Sequence, residues 1–235
     1  MDVITRIPPL RLDRSRQAAP QVFDALRELI VSLELPPGTV LPRAELADRY
    51  GVSQTPVRDA LMKLGEEGLV DIYPQHATVV SRIDTVAALQ AHFLRRSLEL
   101  EIVRELASRD DAGLTPLLAA LREQIVRQTR ALAAKDYAGF TAADREFHRA
   151  LYDAAGVGGL FQLMRQRSGH VDRLRRLHLP ARGKAQAVVR DHKAIVDAIE
   201  SRQPDAAQAA LRAHLAGTLP FVDEVRRQHP EWVSA

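Results

Sequence analysis

The sequence predicts a mainly α-helical protein in two parts: a small N-terminal head, then an all-α C-terminal bundle of six to seven helices. Three observations carry that reading. The 235-residue chain is 46% hydrophobic but only 5% aromatic, and its Ala, Leu and Arg content favours helices around a sizeable core. Most of the turn chemistry, such as "LPPG" (35–38) and "PQHA" (74–77), lies in the first 80 residues. Beyond Ser81 the strand signals vanish and helical periodicity fills the chain. The division is therefore expected at 1–81 and 82–235.

Within the head, Val22, Leu26, Leu29, Ile30 and Leu33 mark one face of a helix that "LPPG" ends. "TVL" (39–41) is a short strand or connector. A second helix over 43–50 stops at Gly51, a residue suited to the left-handed position past a helix end. Ser53 is placed as the N-cap of a third helix, with Pro56 in its first turn and Val57, Ala60, Leu61 and Leu64 inward. "LVDIY" and "TVVS", separated by "PQHA", form a hairpin.

In the second part, helices are expected over 84–109, 115–134, 137–155, 159–178, 184–202 and 205–229. Thr115-Pro116 is read as an N-cap followed by a proline at the first helical position. Pro220 should kink or divide the last segment. The charge cluster "RLRR" (173–176) is read as a solvated face or part of a dimer surface.

Absence of cysteine excludes disulfides and thiolate metal sites and fits a reducing cytoplasm. No apolar run reaches membrane-spanning length, so no membrane partner is expected. The net charge is +3, yet residues 1–80 carry nine basic and eleven acidic side chains, a net of −2. Nucleic-acid binding by this head must rest on local placement of charge. Arg6, Arg11, Arg14 and Arg16 punctuate an aperiodic arm, read as flexible ahead of the alternative that it touches a phosphate backbone.

"ELADRYGVSQTPVRDAL" (45–61) has helix-turn-helix grammar: Ala47 permits a close helix crossing, Gly51 supplies the turn, and Val57 packs beneath. The third helix would then enter a major groove, with Ser53, Gln54 and Thr55 towards base edges and Arg58 one turn on. Arg58 can bridge phosphates or pair with guanine, and Gln54 can read adenine. A compact three-helix unit of any purpose also needs such small residues, but the hairpin that follows makes this a winged helix with His76 at the wing tip.

"LPPGTVLPRAELADRYGVSQTPVRDALMKLGEEGLV" closely resembles the DNA-binding domain of GntR-family bacterial transcription regulators. The resemblance implies DNA contacts from Arg43, Arg49, Ser53, Thr55, Arg58 and the wing at His76. Two departures stand out: Gln54 where the family commonly has arginine, and Ala77 where it has glycine. The first implies a different base preference at the operator, and the second bears on how closely the wing approaches the minor groove.

In the second part, polar residues stand where the period demands apolar ones. Asp144 and His148 share a face with Phe140, Phe147 and Leu151; His192 lies among Val188, Val189, Ile195, Val196 and Ile199; His214 accompanies Leu211 and Leu215. A buried carboxylate is costly unless paired or bound to a cation. One Asp and three His converging between helices would suit a divalent transition metal, with Asp144 and His148 side by side at i, i+4. Taken singly, each histidine is more often a satisfied core or boundary residue than a ligand.

"RRSLE", "DREFHRALYDAAG", "DHKAIVDAI" and "LRAHL", in that order behind such a head, resemble the FadR-type effector domain of the FCD class. The resemblance implies that Asp144, His148, His192 and His214 hold zinc, nickel or manganese, and that Arg95 lies near an effector cavity where it binds a small organic acid. On physical grounds alone Arg95 could equally pair with Glu99 at i+4. The implied function is a metabolite-responsive regulator, usually a repressor, acting as a homodimer on a pseudo-palindromic double-stranded DNA operator in the cytoplasm. Two alternatives stand beside it: a regulator whose ion is purely structural, and a metal-dependent enzyme. No metallohydrolase signature supports the enzyme, and the obvious general bases are already assigned as ligands.

Overall fold

The computed structural model describes residues 7–110, 113–217 and 221–234. Arg6 and Pro220, both invoked above, lie outside the described residues. Two compact units emerge. One gathers residues up to Ala88 with Gly169–Arg176 and the segment from Asp223 onward; the other comprises Leu89–Ser168 and Leu177–Val222.

In the first unit, α1 (Ala18–Val31) buries Val22, Phe23, Leu26, Leu29 and Ile30 along one stripe. Its end comes earlier than the apolar pattern implies. Leu33 takes the left-handed region at φ 66° and so leaves the helical face it was expected to extend. The chain then folds back, with Leu35 N donating to Leu29 O at 2.9 Å.

Helix α2 (Arg43–Tyr50) stops at Gly51, whose φ of 64° needs the freedom of a residue without Cβ. Ser53 occupies the N-cap position of α3 (Gln54–Glu66) in extended geometry, but its hydroxyl makes no capping hydrogen bond. Strands β1 (Val70–Tyr73) and β2 (Ala77–Val80) pair antiparallel, Val70 opposite Val80. Val40 adds a bridge to Val79, so 39–41 lies along the hairpin's edge. Leu26, Ile30, Leu46, Val57, Leu64 and Leu69 are fully buried beneath these elements. A buried ion pair, Arg27 Nε to Glu67 Oε2 at 2.7 Å, ties α1 to the residue after α3.

The helices that follow are α4 (Thr85–Ser108), α5 (Leu114–Ala133), α6 (Tyr137–Ala154), α7 (Gly158–Arg167), α8 (Gly169–His178), α9 (Lys184–Glu200), α10 (Pro204–Ala216) and α11 (Val222–Gln228). Val103, Leu121, Phe147, Leu151, Ile195, Ile199 and Leu211 form the fully buried centre of the second unit. Asp136 caps α6 by accepting from Gly139 N at 2.9 Å. Helix α5 begins one residue before the expected Thr115, with Gly113 at its N-cap and Pro116 inside the first turn. There a missing N–H costs nothing.

The segment 159–178, read as one helix from its period, divides at Ser168. The Ser168 N–H and hydroxyl both turn back onto Arg165 O, at 3.2 and 2.9 Å. Gly169 follows against Leu69, where a Cβ would come within 2.6 Å of that side chain. A Ser-Gly step is a known place for a helix to break, and close packing on Leu69 gives this one its reason.

"RLRR" is not uniformly a solvated face. Arg173 is fully buried, donating from Nη1 to Ser81 O at 2.7 Å and from Nη2 to Ser81 Oγ at 3.3 Å. Beside it, His170 Nδ1 accepts from Asp84 N at 2.9 Å and lies 2.9 Å from Arg173 Nη2. Residues 81–84, which lead from the hairpin into α4, are thereby held by two α8 side chains inside the first unit.

Burial, and then Arg173, lower the His170 pKa to about 4 from its ordinary 6.5. The unfolded chain therefore binds a proton that the folded chain refuses between those two values. The contribution is complete above pH 6.5 and is lost as pH falls towards 4, amounting to about 3 kcal/mol. His170→Gln, which keeps an acceptor for Asp84 N, should flatten the fall in urea stability across this window. A slope equal to wild type would show that His170 does not set it.

Candidate metal centre and nucleic-acid surface

Three helices of the second unit bring the polar residues together. Asp144 and His148 stand one turn apart on α6, His192 is on α9 and His214 on α10, and all four are buried. Each offers one ligand atom, and these atoms lie within 4.8 Å of one another. Ions with metal–nitrogen bonds of about 2.0–2.1 Å place their ligand atoms roughly 3 to 4 Å apart. That spacing is compatible with the four residues meeting one cation.

Proton bookkeeping tests that fit. His192 Nδ1 stands 2.8 Å from Gln128 Oε1, which can only accept, so the ring proton sits on Nδ1. His192 Nε2 then presents a lone pair to Asp144 Oδ1 at 3.5 Å. Likewise His148 Nδ1 lies 2.9 Å from Glu99 Oε2, and on the other side of the ring His148 Nε2 faces His214 Nε2 at 3.3 Å. At the His192–Asp144 contact a lone pair faces a carboxylate oxygen, an arrangement that a cation between them would relieve. The residues fit a divalent transition metal with nitrogen and oxygen ligands.

The surroundings favour the same state. Phe147 stacks on His192 with ring centroids 3.9 Å apart and planes 4° from parallel, fixing the imidazole plane. Burial lowers the His214 pKa to about 4, keeping the ring neutral, as ligation requires. Asp191 Oδ2 stands 3.7 Å from His214 Nδ1, an electrostatic neighbour beyond hydrogen-bond reach.

Arg95 is buried on α4 and donates from Nε to Glu99 Oε1 at 2.8 Å. Burial alone would raise the Glu99 carboxyl; Arg95 and then His148 outweigh it and hold the group at about 2. The i+4 pairing weighed from sequence is therefore present. The positive charge of Arg95 also acts on His214, which places it near the cluster.

Three neighbours of the cluster escaped the sequence reading in this role. Glu99 appeared only as a partner for Arg95. Gln128 continues the stripe of Leu121 and Ile125 on α5, so a polar residue in an apolar face was the signal available. Asp191 directly precedes His192, and nothing in its spacing distinguishes it from an exposed carboxylate.

On the first unit, Ser53, Gln54, Thr55 and Arg58 are all exposed around the N-terminal turn of α3 and the turn after it. Arg43, exposed at the start of α2, donates from Nε to Gln54 Oε1 at 3.1 Å. Arg58 pairs with exposed Asp59 at 3.0 Å, a contact that water and salt weaken readily. Arg49 Nε donates to the carbonyl of Ile7 at 2.6 Å, so one of its donors holds the N-terminal arm. His76 is exposed in the hairpin turn, whose left-handed residue is Gln75 at φ 62°. Ala77 opens β2 and needs no glycine geometry.

A helix-turn-helix with a two-stranded wing, joined in one chain to a helical unit with a buried ligand-type cluster, defines the class of DNA-binding transcriptional regulators. Residues 18–80 match the bacterial regulatory proteins of the gntR family, and residues 90–217 match the FCD domain. The chain belongs to the GntR family of transcriptional regulators, in the group that carries an FCD domain, and is not an enzyme. It is 34% identical over 89% of its length, and 87% of the relative's, to an HTH-type transcriptional regulator in an unstable DNA locus of Streptomyces ambofaciens. It is 29% identical to the HTH-type transcriptional repressor RspR of Escherichia coli K12, covering 95% and 97% of the two chains. The solved structure of E. coli McbR/YncC shares the fold, with a TM-score of 0.74 at 20% identity over 91% of this chain and 99% of that one. Among the described residues no helix is long and apolar enough to cross a membrane.

Proposed function

We propose that this regulator is a metal-assisted, metabolite-responsive repressor that binds a pseudo-palindromic operator as a homodimer in the cytoplasm. DNA binding is assigned to residues 1–81, and ion binding, effector binding and dimerisation to 82–235. The observation that carries the reading is the buried Asp144, His148, His192 and His214 set, whose ligand atoms all lie within 4.8 Å of one another.

When bound, zinc, nickel or manganese supplies a Lewis-acidic seat for a carboxylate oxygen. Arg95 supplies a second cation for the same small organic acid. Opposite in the chain, Arg43, Arg49, Ser53, Gln54, Thr55, Arg58 and His76 meet the operator, with Gln54 and Arg58 nearest the bases. A C2 dimer offers two such helices to two half-sites. Leu89 and Phe93 form an exposed apolar pair on α4 that a second copy would cover.

The experiment is fluorescence anisotropy on an operator isolated by in vitro selection, using metal-free and Ni2+-loaded protein with a panel of hydroxy acids, sugar acids and dicarboxylates. A shift in operator affinity by one acid, dependent on the metal, is expected. No response across the panel favours a purely structural ion. In the same assay Arg58→Ala should weaken binding by about 10- to 100-fold, equivalent to about 1–3 kcal/mol. A loss restricted to operators with one base marks base readout, and a uniform loss marks a phosphate contact. Unchanged affinity would remove Arg58 from the interface.

A further inference from the structure

We infer that Glu99 is a positioning residue for the metal site: it fixes the tautomer and orientation of His148 through one carboxylate oxygen while anchoring Arg95 through the other. This rests on reading the Asp144, His148, His192 and His214 set as a metal site.

Glu99 comes from α4, whereas all four ligands come from α6, α9 and α10. It is fully buried, with Oε1 accepting from Arg95 Nε at 2.8 Å and Oε2 2.9 Å from His148 Nδ1. A buried carboxylate–guanidinium pair gives little net stability over apolar residues of the same volume. Stability alone therefore does not account for this one, and its geometry supplies another reason. Arg95 Nε engages Oε1, and Oε2 lies against the far nitrogen of a ligand. Glu99 itself stands behind the imidazole, outside the group of facing ligand atoms.

The consequence is electronic as well as steric. A proton held on Nδ1 by a carboxylate makes Nε2 the lone-pair nitrogen, orients the ring and raises its basicity as a ligand. The three imidazoles are graded in this respect. His148 has a charged acceptor at 2.9 Å, His192 a neutral amide at 2.8 Å, and His214 only Asp191 at 3.7 Å. Glu99 is thus the closest charged neighbour of the three outer ring nitrogens. Through it, the imidazole that holds the ion and the guanidinium assigned to the acid share one rigid support.

The test uses the full-length protein with metal alone as the probe. Ni2+ and Zn2+ affinities are measured by competition with a chromophoric chelator for wild type, Glu99→Gln and the double variant Arg95→Met/Glu99→Leu. Glu99→Gln is expected to weaken metal binding by about 10- to 100-fold. In 15N-imidazole NMR of metal-free protein, His148 should move from the pure Nδ1–H tautomer to a mixture.

The double variant removes both buried charges, so it should recover thermal stability while metal affinity stays weak; it also carries the test if Glu99→Gln folds poorly. Metal binding as tight as wild type in either variant, with the His148 tautomer unchanged, overturns the positioning role and leaves a structural ion pair. If wild type binds neither ion, the metal-site reading itself fails and the inference falls with it. That outcome is distinct, because it appears before any substitution is made.

Discussion

Substituting His192 with alanine is expected to abolish the stabilisation that Zn2+ or Ni2+ confers on the wild-type chain. A ligand present at a thousand times its dissociation constant stabilises the native state by about 4 kcal/mol. In a chain of this size that is roughly 8 to 16 °C of melting temperature. His192 contributes Nε2 to the cluster and is held by both Gln128 and the face of Phe147. Alanine therefore removes a ligand and leaves a hole beneath Phe147. The metal-free variant will already melt lower than metal-free wild type, so the quantity to compare is the shift on adding metal, read by differential scanning fluorimetry. Wild type should show the full shift and His192→Ala almost none. An undiminished shift would take His192 out of the coordination set.

The second large effect is expected at Arg173. Arg173→Ala should cost about 3 to 5 kcal/mol in urea denaturation, combining lost charged hydrogen bonds with an unfilled cavity. The buried guanidinium currently satisfies Ser81 O and reaches Ser81 Oγ. Burial also lowers its pKa to about 10, so the cation is itself held at some expense. Arg173→Met, which keeps most of the volume and relieves that expense, should lose clearly less than alanine. Equal losses would mean that the hydrogen bonds, and not the space filled, decide the outcome. A loss below 1 kcal/mol for alanine would contradict the burial seen here.

The places where sequence and structure agree share a physical basis. Gly51, Ala47, Val57 and the apolar stripe of α3 act over one or two turns, so local spacing reveals them. Asp144, His148, His192 and His214 were legible because each is a polar residue in an otherwise apolar period, and periodicity needs no knowledge of the partner helix. What spacing left unseen depends on packing between distant segments. The break at Ser168 arises where Gly169 meets Leu69, a hundred residues earlier in the chain. Arg173 sat in a charge run that reads as solvent-facing, yet its acceptors are carbonyls 91 and 92 residues away. Glu99 was visible as an i+4 partner, but its second oxygen finds His148 on another helix. Charged side chains are where one-dimensional reading is weakest, because a few long-range acceptors reverse the expectation of exposure.

The residues of the candidate metal cluster are spread over a long stretch of chain: His148 and His214 are 66 residues apart. A cation held by both closes that stretch as a covalent staple would, and the entropy it removes from the unfolded chain grows only slowly with loop length. Order of synthesis adds a constraint. A ribosome-bound chain has at most three of the four candidate ligands until α10 emerges, so capture of an ion by the full set would come at the final stage of biosynthesis. Premature termination before residue 214 would remove one residue of the candidate ion trap together with the segment from Asp223 that packs into the first unit.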